Sequence, residues 1–150
     1  MKKRMPAVGL CLLVLATLAF IWGNSFLSTA QSSAESRRVL ELLRPVLEVV
    51  VGKGNATNHL VRKLAHFCEF ALLGAELGLF LAVLGCNLRH WLYCGLLAGL
   101  LAALADETIQ LFSGRGSQVK DVWLDFAGVI VGMAVACTIR QLCRRKKRKP

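Results

Sequence analysis

From Met5 to Ala34 the chain carries no Asp, Glu, Lys or Arg, and two more such runs follow, Trp91 to Ala105 and Phe126 to Ile139. Crossing the hydrocarbon core of a bilayer takes about 20 mainly apolar residues in a helix. A first span therefore fits within Ala7–Leu27. The later uncharged cores, 15 and 14 residues long, are too short alone. They reach spanning length only by taking in the acids at their ends, giving spans of about 91–112 and 121–139. Another span, about 58–84, has Glu69 and Glu76 inside it and Thr57 and Asn58 as capping residues at its start. With 55% hydrophobic residues, against about 45–50% in soluble chains, the sequence points to lipid as its solvent. The predicted fold is an all-α four-helix transmembrane bundle forming a single domain, residues 1–150.

The first span has a rival reading as a cleaved signal peptide, with Lys2–Arg4 as its basic start and Ser28-Thr29-Ala30 as a cleavage site. The apolar run exceeds the usual length of about 7–15 residues and includes Trp22 and Phe26, which favours a retained helix.

A net charge of +10 would suggest nucleic acid in a soluble protein, but seven of the 19 basic residues lie between Arg140 and Lys149 and three more are Lys2, Lys3 and Arg4. Basic clusters flanking apolar spans are what the positive-inside rule describes. Nothing remains to form a basic folded face, so a nucleic-acid partner is not expected. With both basic ends cytoplasmic, four crossings close the topology and place 28–63 and 113–120 outside. Arg37, Arg38, Arg44, Lys53, Arg62 and Lys63 in the first outer segment run against the rule. In that segment Ser32-Ser33-Ala34-Glu35 fits a capping box, and Val39, Leu40, Leu43, Val46, Leu47 and Val50 recur at helical spacing. The expectation is an amphipathic outer helix, bent or restarted at Pro45, lying on the leaflet or covering the bundle. Six cysteines without a CxxC read as small hydrophobes.

The alternation of spans brings polar residues from three helices to one depth. Lys63, His66, Glu69, Leu73 and Glu76 follow one helical stripe, Gly99, Ala103, Asp106 and Gln110 a second, and Asp121, Asp125, Gly128 and Gly132 a third. In the last two stripes acids continue a row of small residues, and small residues mark close helix approach in membranes. The acids are thus expected to face the bundle interior. Ionisable groups inside a membrane are candidates for function, since each costs about 2.5–3.5 kcal/mol on insertion scales. The alternative is that Lys63, His66 and Arg115 simply pair with acids and pin the helices. The excess of carboxylates over those bases favours a site. The candidate catalytic residues are His66, Glu69, Asp106 and Asp121; the candidate ligand-binding residues are Lys63, Glu107, Gln110, Arg115 and Asp125. Glu107 could equally point to headgroups, and Glu76 is expected to lie too deep for a surface site. No cofactor is expected. A metal site is not expected either, because His66 and the acids lack a dedicated spacing such as HExxH.

At these residues the chain resembles the VanZ-like family of small bacterial membrane proteins. The likeness rests on Arg62-Lys63-Leu64-Ala65-His66-Phe67, Glu69-Phe70, Leu73-Gly74, Asp106-Glu107, Gln110, Phe112, Arg115, Asp121-Val122 and Gly128. Asp125, often Asn in such proteins, and Phe70, often Tyr, depart from the pattern. The resemblance implies a cell-envelope role in the bacterial inner membrane, because the founding member is linked to low-level resistance to the glycopeptide teicoplanin. It supplies no reaction. Three functions follow as expectations: binding an amphiphile such as a lipid, a cell-wall lipid intermediate or a lipoglycopeptide at the outer leaflet; acid-base chemistry on lipid headgroups; or a structural, partner-binding role.

Overall fold

The computed structural model describes residues 4–27, 29–114 and 118–146. They form five helices: α1 (Arg4–Ser25), α2 (Thr29–Val51), α3 (Asn58–Val83), α4 (Leu88–Phe112) and α5 (Val119–Lys146). Four of these, all but α2, are long and apolar enough to cross a membrane. Their outward faces carry Leu12, Leu15 and Phe20 on α1, Leu72 on α3, Leu97, Leu101 and Leu104 on α4, and Ile130, Val131 and Val135 on α5. So wide an exposed apolar surface marks a multi-pass membrane protein rather than a water-soluble one.

The contacts fix the helix directions. Trp22 meets Ala102 and Ser25 meets Asp106, so α1 runs along α4; Trp91 meets Gly78 while Asp106 nears His66, so both run against α3. Lys63 meets Asp121 near the start of α3 and of α5, and Gly78 meets Ala136 further on, so those two helices run parallel. The beginning of α1 and the end of α5 therefore share one end of the bundle, opposite the acid-rich end.

Close approach of α3 and α5 is the centre of the architecture, and glycine permits it. A Cβ on Gly132 would stand 1.9 Å from the Ala71 carbonyl oxygen, one on Gly128 2.5 Å from that of Phe67, and one on Gly74 2.3 Å from that of Val129. Without those side chains the two backbones touch, and dispersion contacts replace the hydrophobic drive that lipid does not supply. α4 closes on the pair more loosely, with Gly99 receiving Val129 and Gly95 receiving Met133.

At the end away from the acids, the fully buried Trp91 donates its indole N–H to the Gly78 carbonyl at 2.6 Å, and the Arg140 guanidinium lies 5.7 Å from its ring centroid while donating to the Cys86 carbonyl at 2.6 Å. Replacing Trp91 by Phe should cost about 1 kcal/mol for the lost hydrogen bond plus some packing. Thermal unfolding in detergent would show it as a lowered midpoint.

Three boundaries differ from the sequence expectation. α4 starts three residues before Trp91, because the Asn87 side chain accepts from the His90 N–H at 2.9 Å and caps a turn that includes Arg89 and His90. α5 runs past Ile139 into the basic tail, since a helix has no physical reason to stop at a lipid boundary. α2 is one continuous helix with Pro45 inside it, so it does not restart there, and Ser32 lies within the helix, not at its cap. Ser36 instead donates to the Ser32 carbonyl at 2.8 Å. α2 packs on α3 with Leu40 buried, while Leu42, Val46, Val49 and Val50 stay exposed. The six cysteines are free, as expected.

Candidate functional site

Where α1 ends and α3 and α5 begin, α4 delivers its last two turns, and four helices converge on one polar cluster. At its centre is Asp106, with no exposed surface. Its two oxygens accept hydrogen bonds of 2.6 Å each, Oδ1 from the Ser25 hydroxyl of α1 and Oδ2 from the Gln110 amide one turn on. Those donors fix the carboxylate's orientation.

The His66 ring stands above Asp106, its Nδ1 3.8 Å from Asp106 Oδ2 and 3.9 Å from Glu69 Oε2. Both are beyond hydrogen-bond range but within strong Coulombic reach. Asp125 comes in from α5, 2% exposed, and among the described residues its Oδ1 has no hydrogen-bond partner. Glu107 is also buried, so it faces the bundle rather than the headgroups. Lys63 and Asp121 form an ion pair at the mouth, each side chain about a quarter exposed. Candidate Arg115 lies outside the described residues. The other eight candidates lie in this cluster or at its mouth.

Openings lead into it from two sides. One cavity is lined by His59, Arg62, Lys63, His66, Glu107, Gln110, Asp121, Leu124 and Asp125, and is strongly charged. A second, on the far side of Arg62 and His66, is bounded by Asn24, Leu27, Ser32, Ser36, Val39, Val61, Ala65 and Glu69, and so lies between α1, α2 and α3. A wholly apolar groove continues from it between α2 and α3, along Val39, Leu43, Leu47, Val61, Leu64, Ala65 and Cys68.

Some participants were missed by the spacing argument. Ser25 is one, and it shares a face of α1 with Thr17 and Ile21 at four-residue steps; all three are buried. Two hydroxyls on one face of an otherwise apolar helix were the available signal. Thr17 donates to Glu76 at 3.0 Å, which gives the deep glutamate a partner remote from the cluster. Arg62 and His59 were not among the candidates, although they stand four and seven residues before His66 at helical spacing, and both line the charged cavity.

The chain matches the protein-family model described as VanZ/LLP1 over residues 10–140. That match takes in most of α1 and α5, all of α3 and α4, and every residue of the cluster. Neither a curated protein nor a solved structure matches the chain.

Proposed function

Since the chain belongs to the VanZ/LLP1 family, we propose that it serves the cell envelope by binding an amphiphile from the outer leaflet, a lipid, a cell-wall lipid intermediate or a lipoglycopeptide. In this reading the membrane is the bacterial inner membrane, both termini are cytoplasmic and the acid-rich end of the bundle faces out. The observation that carries the proposal is that three spaces adjoin one another. Arg62 and His66 line both polar cavities, and Val39, Val61 and Ala65 line both the second cavity and the apolar groove. A polar head can settle in the second cavity against Arg62 and His66 while its hydrocarbon chain lies between α2 and α3. Arg62 suits an anionic oxygen, because a guanidinium can donate two parallel hydrogen bonds to it. The role of α2 is then to form one wall of the groove.

Ala65 sits at the junction of the polar and apolar spaces and is itself exposed. Ala65→Trp is expected to block the junction and leave the bundle intact. Native mass spectrometry of the protein with teicoplanin and with a polyprenyl phosphate, alongside teicoplanin susceptibility of expressing cells, checks this. The expected result is loss of the adduct and of any susceptibility change in Ala65→Trp and in Arg62→Ala. Equal binding by wild type and both variants would refute the reading.

A second reading is favoured by the His66 ring poised between two carboxylates at 3.8 and 3.9 Å. Such a trio suits acid-base chemistry on the bound headgroup, with His66 exchanging the proton. Mass spectrometry of envelope lipids incubated with the purified protein would reveal a modified product if so.

A further inference from the structure

We propose that His66, Asp106 and Asp125 bind a divalent transition-metal ion. Each offers one ligand atom, and these atoms all lie within 4.8 Å of one another. Metal–nitrogen and metal–oxygen bonds in zinc sites measure about 2.0–2.2 Å, which puts two ligands of one ion at most about 4.4 Å apart. Rotations moving the side-chain ends by a few tenths of an ångström close the difference.

Three observations point to an ion there rather than to a generic cluster of acids. The first is the Asp125 Oδ1 atom, which is buried with no hydrogen-bond partner among the described residues. A carboxylate oxygen held out of water is neutralised either by a proton or by a bound cation. The second is the distribution of the bases. Lys63 is engaged with Asp121 at the mouth rather than with Asp125. The third is the way Asp106 is held. Ser25 and Gln110 each donate to one of its oxygens, and hydrogen-bonded carboxylates of this kind are what orient the ligands of metal sites.

One imidazole with two carboxylates is a mixed nitrogen and oxygen donor set. It suits zinc, manganese or iron(II) over calcium or magnesium, which prefer oxygen alone. Three protein ligands leave a coordination position open, as in zinc sites that bind water or substrate. The three residues come from α3, α4 and α5, so the ion would join helices whose side chains lie far apart in sequence. A sequence spacing such as HExxH places ligands on one helix and has no counterpart here. The proposal does not depend on amphiphile binding, because it is measured on detergent-solubilised protein without added lipid.

The test uses the full chain carrying an affinity tag without histidine, stripped with EDTA and then equilibrated with zinc, manganese or cobalt(II). Elemental mass spectrometry should find about one ion per chain, and cobalt should give visible absorption bands of a site containing nitrogen and oxygen ligands. Loss of an outer partner typically weakens metal binding by about 10–100-fold. On that scale Asp125→Asn and His66→Gln should each weaken it at least about 100-fold, and Ser25→Ala about tenfold. His90→Gln and Cys94→Ser, outside the cluster, should bind as wild type does. If the site variants aggregate, the thermal midpoint of the wild type decides: it should rise with zinc and fall back with EDTA. Absence of a bound ion, no zinc-dependent midpoint shift, or unchanged affinity in a folded Asp125→Asn protein would overturn the proposal and leave protons as the balancing charge.

Discussion

Gly132→Val should abolish the folded bundle. The added Cβ would stand 1.9 Å from the Ala71 carbonyl oxygen and 2.6 Å from the Ala75 nitrogen. Both are backbone atoms inside α3, so neither can swing aside as a flexible side-chain tip does. Relief requires α3 and α5 to separate, which undoes the contacts of Gly74 and Gly128 along the same seam. Overpacking a well-filled interior costs about 1–3 kcal/mol when neighbours can adjust, and more when they cannot. The expected cost here exceeds about 3 kcal/mol, a large part of the stability of a typical domain, about 5–15 kcal/mol. Size-exclusion chromatography in detergent should show aggregate in place of a single peak. Gly9→Ala and Gly23→Ala, where an added Cβ meets nothing within 4 Å, should run as wild type does. A well-folded Gly132→Val protein would mean that α3 and α5 do not pack as described.

The second large effect is expected at Asp106. Asp106→Ala removes the acceptor of two buried donors at once, the Ser25 hydroxyl and the Gln110 amide. Each donor left without a partner costs about 1–3 kcal/mol, so a total of about 2–6 kcal/mol is expected. Asp106→Asn retains one acceptor oxygen and should lose markedly less. Thermal unfolding of both variants measures the difference. A double-mutant cycle with Ser25→Ala should further show a coupling of about 0.5–3 kcal/mol, because the two residues share a bond. Additive effects would show that the α1 hydroxyl contributes nothing to holding the acid.

Much of this was open to reading along the chain, for identifiable reasons. The charge gaps marked the spans because an ionised side chain in hydrocarbon is costly whatever its neighbours. The stripes ending in Asp106 and in Asp121 and Asp125 were visible because small residues and acids recur at helical spacing, and the structure turns Asp106 and Asp125 inward. Glu107 was a candidate whose facing stayed open, because it sits beside Asp106 and adjacent helical positions do not share a face. Only the approach of a neighbouring helix decides whether such a residue is covered. Ser25 escaped for a related reason: its partner is 81 residues away, and nothing local records that separation. Pro45 pointed to a bend or a restart because proline removes one backbone donor and crowds a carbonyl. In α2 that region is largely exposed, so water can satisfy the freed carbonyl and the helix runs on.

The parallel seam between α3 and α5 also bears on how the protein is made. α3 emerges from the ribosome carrying Lys63 and the notch at Gly74, yet the helix that meets both is synthesised last, with Lys63 waiting 58 residues for Asp121. During insertion Glu76 can already meet its partner Thr17 of α1, whereas the partners that α5 supplies are still to be made. Nascent chains stopped before Gly128 are accordingly the forms that cellular quality control should recognise and degrade.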